Sequence, residues 1–257
     1  MTPLPPDLAG RLEPYHWTHV EVGESGGTVH RLAATGMPTL FLKEGGGAVA
    51  AAITDEMVRL AWLADRVAVP ELVHFVRADG RAWLLTSALR GETVDSLAEQ
   101  GDVSALIEPM AAFLRTLHAL PVDECPFDAR APVRLTAAQA AMTAGRVDAE
   151  DFGDEHQDWT PEQVWDRMMT LRPAEPGRVV THGDFSFGNL LVEDGRVTGC
   201  IDVGRAGVAD PYQDLAICWA NWEELGKGLG DRFLAAYGEE TVDRDRLAFH
   251  LCLDEFF

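Results

Sequence analysis

Between positions 180 and 189 the chain reads Val180-Thr181-His182-Gly183-Asp184-Phe185-Ser186-Phe187-Gly188-Asn189, and Ile201-Asp202-Val203 follows after a short hairpin pattern. Asp184 and Asn189 stand five apart on an irregular stretch between β-rich runs, and a second aspartate, Asp202, lies on the return. Phosphoryl transfer asks for such a set. One carboxylate must receive or orient the attacking hydroxyl, and hard oxygen ligands must hold the Mg²⁺ that neutralises the transferring phosphate. The other reading is an accidental acidic loop, which four elements kept in order across strand, loop and hairpin make improbable.

The stretch resembles the H-R-D-x-x-x-x-N loop and later metal-binding Asp of protein kinases, with Gly183 in place of the Arg. H-G-D-x-x-x-x-N followed by I-D resembles the antibiotic and choline kinases, so the resemblance implies a small-molecule acceptor. It implies Asp184 as catalytic base, with Asn189 and Asp202 as metal ligands and ATP with Mg²⁺ as cofactors. A kinase of this kind also needs an upstream lysine for the α and β phosphates and a helix glutamate to orient it. Lys43, at the end of a strand, and Glu56, in the helix after it, fill these places in the right order. Gly23-Glu24-Ser25-Gly26-Gly27-Thr28 would suit a loop over phosphates, although no Walker A pattern occurs. The resemblance assigns Ser25 to that loop, Phe41 to stacking on adenine, and Ser87 with Leu89 to hinge contacts at its edge; Phe41 reads equally well as core. Gly45-Gly46-Gly47 reads as a mobile connector.

Those residues must be carried by elements, and the first third of the chain is β-rich. Runs at Thr28–Leu32, Thr39–Lys43, Leu72–Arg77 and Ala82–Thr86 alternate like strands, and Asp79-Gly80 predicts a tight hairpin between the last two. One helix interrupts them, expected over Thr54–Ala68. From Ser87 onward helical spacing dominates, with Val103–Leu120 as a long amphipathic helix and others over Thr136–Ala144, Pro161–Thr170, Pro211–Leu225, Gly230–Tyr237 and Asp243–Glu255. A β-rich island over Leu190–Asp202 folds back at Asp194-Gly195. The expected class is α+β and protein-kinase-like. Residues 1–88 would form a small antiparallel-sheet lobe that binds nucleotide, and residues 89–257 a larger, mostly helical lobe with the catalytic loop and the acceptor site.

The closing Leu253-Asp254-Glu255-Phe256-Phe257 and the run Ile201-Asp202-Val203-Gly204-Arg205-Ala206-Gly207-Val208-Ala209-Asp210 resemble the aminoglycoside 3′-phosphotransferase family, over nearly the whole chain from Gly23 to Phe257. The resemblance implies an ATP-dependent kinase that phosphorylates a drug hydroxyl, expected to be the 3′ one, and so confers antibiotic resistance. It implies that Asp254, Glu255 and the Phe257 carboxylate bind drug ammonium groups and that Arg205 organises the acidic pocket. The acidic run Asp148-Ala149-Glu150-Asp151-Phe152-Gly153-Asp154-Glu155 matches the family's mobile substrate-binding segment, with Glu150, Asp154 and Glu155 as candidates. Gly153 interrupts the family's carboxylate spacing there, and acidic loops are otherwise simply solvated. Clustered carboxylates are also what a polycation studded with hydroxyls requires on physical grounds.

Composition agrees. With 21 Lys+Arg against 42 Asp+Glu, the net charge of −21 repels nucleic acid and draws cationic ligands. The four cysteines, Cys125, Cys200, Cys218 and Cys252, have no metal-ligand spacing and read as core thiols. No apolar run approaches a membrane span and no export segment is expected, so the reading is a cytoplasmic monomer or weak dimer without nucleic-acid or membrane partners. Two other functions fit less well. A kinase for choline or a macrolide would share the nucleotide residues, but choline is usually read by an aromatic cage. A non-catalytic nucleotide sensor would usually lack the base or a metal ligand, and Lys43, Glu56, Asp184, Asn189 and Asp202 are all present.

Overall fold

The structure is a computed structural model and describes residues 4–20, 27–153, 155–174 and 176–257. The chain divides into two compact units. The first comprises the described residues up to Gly91 together with Thr198–Gly204; the second comprises Glu92–Val197 and Arg205–Phe257. The sequence reading placed the division after residue 88 and left 198–204 in the second lobe, whereas here that segment returns to the first unit.

The first unit is built on a five-stranded antiparallel sheet in the order β1-β2-β3-β5-β4. A short helix α1 (Pro6–Leu12) precedes β1 (His16–Val20), β2 (Thr28–Ala33) and β3 (Leu40–Gly46). Helix α2 (Ala48–Leu63) follows, then β4 (Leu72–Ala78) and β5 (Arg81–Ser87). Asp79 and Gly80 both take positive φ, 50° and 74°, which gives the expected tight hairpin. Side chains alternate across a strand. On β3 that alternation sends Leu40 and Leu42 into a core with Leu8, Leu12, Leu32, Trp83 and Leu85. The opposite face, carrying Phe41, Lys43 and Gly45, looks at α2, and a Cβ on Gly45 would collide with Val49. Helix α2 starts six residues before the expected Thr54, because the Ala-rich 48–52 stretch is strongly helix-forming. Gly45-Gly46-Gly47 is therefore no free connector: the first two end β3 and Gly47, at φ 59°, is the N-cap of α2. The 198–204 segment is tied on by Cys200 N–H to Ala68 O at 3.1 Å and Thr198 Oγ1 to Arg90 O at 2.6 Å.

The second unit is mostly helical. It contains β6 (Glu92–Thr93), α3 (Val94–Gln100), α4 (Ile107–His118), α5 (Ala131–Thr143), α6 (Pro161–Leu171), β7 (Val179–Thr181) and β8 (Leu190–Glu193). Strand β9 (Arg196–Cys200) leaves it through the Asp194-Gly195 turn, and β10 (Gly207–Ala209), α7 (Tyr212–Leu225), α8 (Leu229–Tyr237) and α9 (Arg244–Asp254) complete the chain. The long helix expected from Val103 begins as a 3-10 turn at Ser104–Leu106 and becomes α-helical at Ile107. Helix α5 starts five residues before the expected Thr136, with Pro132 in its first turn, where proline costs no hydrogen bond. One core of this unit joins α5, α6 and α9 through Leu135, Ala138, Val164, Met168, Phe249 and Phe256, and Phe152 of the acidic run is buried in it. Three of the four cysteines are buried free thiols and Cys125 is half-buried. Among the described residues no helix is long and apolar enough to cross a membrane.

Candidate active site

In the first unit the predicted basic and acidic residues meet. Lys43 Nζ donates to Glu56 Oε2 at 2.9 Å and to Asp202 Oδ1 at 3.2 Å. Burial alone would push the Lys43 ammonium down, but Glu56 and Asp202 outweigh it and hold its pKa above the ordinary value. The lysine is therefore a fixed cation. Glu56 is nearly buried, while Asp202 keeps 44% of its side chain exposed. Asp202 also sits at φ 53° outside any hairpin turn, a conformation that Asp tolerates better than most residues and that collects at functional sites. Phe41 lies on the same sheet face as Lys43 and is half-buried. The Ser87 N–H is spent on Glu71 O at 3.0 Å, so this hinge residue has no main-chain donor to spare; Leu89 is half-buried, and Gly199 leaves no room for a Cβ beside it. Ser25 and the Gly23–Gly26 part of the glycine loop lie outside the described residues.

In the second unit the catalytic loop leaves β7, which pairs antiparallel with β10. Asp214 on α7 is fully buried and anchors the loop by accepting from His182 N at 2.7 Å and Gly183 N at 2.8 Å. His118 Nε2 donates to the same carboxylate at 3.0 Å, and its Nδ1 faces the Tyr237 hydroxyl at 2.8 Å. His182 is 1% exposed, and its Nδ1 accepts from Asp184 N at 3.3 Å, which braces the loop. Gly183 stands at φ 88°, and a Cβ there would collide with the Arg205 backbone. That contact explains why glycine, not arginine, precedes the aspartate. Asn189 Nδ2 donates to Asp184 O at 3.0 Å, which leaves the amide oxygen as the donor atom for a hard cation. Each in its own unit, Asn189 through an oriented amide and Asp202 through a half-exposed carboxylate carry oxygen chemistry of the kind a hard cation such as Mg²⁺ takes.

Arg205 links the loop to the end of the chain. Its Nη1 lies 3.8 Å from Asp184 Oδ2, its Nη2 donates to Phe257 O at 3.1 Å, and its guanidinium lies 5.5 Å from the Phe257 ring centroid. Asp254 keeps about a third of its side chain exposed, yet its Oδ1 is sealed from solvent and accepts no hydrogen bond. Burial pushes this carboxyl up to about 6, against the pull of Arg134 and with a further push from Asp184. Glu255 is differently placed. Its carboxylate accepts from His156 Nδ1 at 2.7 Å and from Gly153 N at 3.2 Å, and only 14% of the side chain is exposed. Glu150 and Glu155 are exposed, and Asp154 lies outside the described residues.

Two residues here escaped the sequence reading. Arg134 on α5 is 7% exposed, donates to Gly183 O at 3.0 Å, approaches Asp254 at 3.5 Å and stacks 4.4 Å from the Phe257 ring centroid. Its signal was the stripe Arg134, Ala138, Ala141, which puts a charge on the buried face once the helix is begun at Ala131. Asp214 is the other. Its signal was a carboxylate in the first turn of a helix whose neighbours on every side are buried.

The chain matches the model of the phosphotransferase enzyme family over residues 16–250. An aminoglycoside 3′-phosphotransferase of Escherichia coli is 47% identical over 254 residues, which cover 98% of this chain and 94% of that one. One of Streptomyces fradiae is 36% identical over 96% of this chain and 97% of its own length. Among solved structures, an aminoglycoside-3′-phosphotransferase of type VIII superposes with a TM-score of 0.87 at 35% identity, covering 98% of this chain and 97% of that one. An aminoglycoside phosphotransferase of Streptomyces rimosus in complex with ADP and streptomycin superposes with a TM-score of 0.83 at 28% identity, covering 97% and 95% of the two chains. The protein-kinase-like α+β architecture expected from the motifs is thus the fold observed, and this chain belongs to the aminoglycoside 3′-phosphotransferase family.

Proposed function

We propose that the protein transfers the γ-phosphoryl group of ATP to an aminoglycoside hydroxyl, the 3′ one, and so inactivates the drug. The observation that carries this reading is Arg205, which spans the loop aspartate Asp184 and the Phe257 main-chain oxygen beside Asp254. Base and acceptor-facing carboxylates are thereby held by one side chain. Relatives named for the same reaction, and a neighbour that binds ADP with streptomycin, support the choice of substrates.

Lys43, kept charged by Glu56, binds the nucleotide phosphates, with Phe41 and the main chain at Leu89 on the adenine. Asp202 and Asn189 would hold Mg²⁺, which supplies charge neutralisation at the phosphates when bound. Asp184 accepts the proton of the attacking hydroxyl as its oxygen bonds to the γ-phosphorus and the bond to the ADP oxygen breaks. Asp254 and the Phe257 main-chain oxygen meet drug ammonium groups, with Glu150, Asp154 and Glu155 as further negative charges nearby in sequence. The reading includes the two-lobe division of labour and a cytoplasmic monomer or weak dimer.

The test is ADP release with Mg²⁺-ATP across kanamycin, neomycin, a 3′-deoxy aminoglycoside, choline and a macrolide. Kanamycin and neomycin should turn over, and the 3′-deoxy drug should bind competitively and turn over poorly. Efficient phosphorylation of the 3′-deoxy drug would move the acceptor to another hydroxyl, and turnover of choline or the macrolide alone would replace the reading.

A further inference from the structure

The acidic run and the end of α9 lie about a hundred positions apart in sequence, yet one imidazole joins them. His156 is 6% exposed, and both of its ring nitrogens face polar atoms from the chain end. Its Nδ1 donates to Glu255 Oε1 at 2.7 Å, and its Nε2 lies 3.5 Å from Cys252 Sγ. The same carboxylate accepts from Gly153 N at 3.3 Å and 3.2 Å through its two oxygens. The 153–156 turn is closed by His156 N–H to Gly153 O at 2.8 Å, and the His156 ring meets Trp159 edge to face at 5.2 Å. Phe152, just before the turn, is buried in the α5–α6–α9 core.

We propose that His156 is a positioning residue for the acceptor: by clasping Glu255 it fixes both that carboxylate and the Gly153 backbone against the end of α9. The inference rests on the aminoglycoside reading of that region. Two features argue for a clasp over an ordinary buried histidine. A carboxylate with one imidazole and one amide on it cannot swing freely, so its charge is presented in one place. The hydrogen bonds to Cys252 and Glu255 also push His156 up to about 10, which favours the imidazolium that donates from Nδ1 to the carboxylate. Glu255 then acts through the geometry it imposes on Gly153 and its neighbours as well as through its own charge. A polycation would meet the Glu255 carboxylate already held in place, which saves the cost of ordering it on binding.

The experiment is a double-substitution cycle on the full-length protein, measuring drug KM, ATP KM and kcat separately. His156→Leu should raise the drug KM roughly tenfold or more, with kcat and ATP KM within about twofold, because a charge-assisted hydrogen bond is lost without touching the nucleotide residues. His156→Asn, whose amide can still donate to Glu255, should recover most of that loss. Adding Glu255→Gln to His156→Leu should worsen the drug KM by much less than the product of the two single effects. A drug KM within about twofold of wild type in His156→Leu, or effects that multiply fully, would overturn the clasp. Hydrogen exchange over residues 149–158 gives a second readout: protection should fall in His156→Leu and in Glu255→Gln, and unchanged exchange in Glu255→Gln overturns the clasp even if His156→Leu does not fold. Failure of the aminoglycoside reading would show in the wild type alone, as absence of drug turnover, before any substitution is made.

Discussion

Two charged side chains sit in opposite settings: Lys43 of the first unit is hydrogen-bonded to two carboxylates, whereas the Asp254 carboxylate at the chain end of the second unit has an oxygen with no hydrogen bond, although its neighbour Glu255 is clasped. Lys43 has two carboxylates within 3.2 Å and its ammonium is stabilised by them. In the second unit Asp254 has a sealed, unbonded oxygen, Arg134 has a buried Nε without a partner, and the Asp254 carboxyl is pushed up to about 6. Buried polar groups are normally satisfied, and an unsatisfied one asks for an explanation. The difference suits a two-substrate enzyme with ATP as donor and a polycationic acceptor: a donor-side lysine set in advance by its carboxylates, and an acceptor-side aspartate whose charge is completed only by the substrate.

The comparison can be broken most decisively at the reacting group, which belongs to neither kind of pairing. Asp184→Ala should lower kcat by roughly 10²–10⁴-fold and leave ATP and drug binding largely intact. Near-wild-type turnover would remove Asp184 from the chemistry. If the first unit is set by pairing, Lys43→Met should cost roughly 100-fold in kcat/KM for ATP, since two charge-assisted contacts are lost and the cation facing the phosphates is removed. A change confined to the drug KM would contradict this. Lys43 and Lys227 are the chain's two lysines, so protection of Lys43 from acylation by Mg²⁺-ATP can be read directly by mass spectrometry.

On the other side, Arg134→Lys keeps a charge but loses the planar fork that reaches Gly183 O while lying over the Phe257 ring. It should lower kcat/KM for the drug roughly tenfold, with ATP KM unchanged. An equal effect on both substrates would mean that Arg134 supports the whole unit and not the acceptor side. The smallest expected effect is in pH. A carboxyl with a pKa of about 6 is neutral below that pH and cannot pair with an ammonium group, so drug KM should rise as pH falls through 6. Asp254→Asn should flatten the profile in this range.

Where local pattern decides structure, the sequence was readable. Strands β2 to β5, the two Asp-Gly turns and helices α6 to α9 lie within a few residues of expectation, because strand alternation, turn glycines and helical spacing act over short range. Helices α2 and α5 begin earlier than expected, since the Ala-rich first turns of α2 show helix propensity without the apolar periodicity used to find it, and α5 opens on Pro132, which a helix accepts only in its first turn. The H-G-D-x-x-x-x-N loop announced its own residues but not its supports. Asp214, 31 and 32 positions from the amides it anchors, and Arg134, 49 positions from the carbonyl it holds, are set by packing that no short motif encodes. Glu255 illustrates the same limit. The sequence reading assigned it to drug ammonium groups, and the His156 and Gly153 contacts that restrain it come from about a hundred positions away.

The most direct test of the contrast between Lys43 and Asp254 is a carbonyl-¹³C titration of Asp254, assigned with Asp254→Asn, in the free protein and with saturating kanamycin. The account predicts a midpoint near 6 in the free protein. With drug bound, the midpoint should fall by at least about one unit, because ammonium groups favour the charged carboxylate. A midpoint in the ordinary aspartate range without drug, or one near 6 that kanamycin does not move, would contradict it.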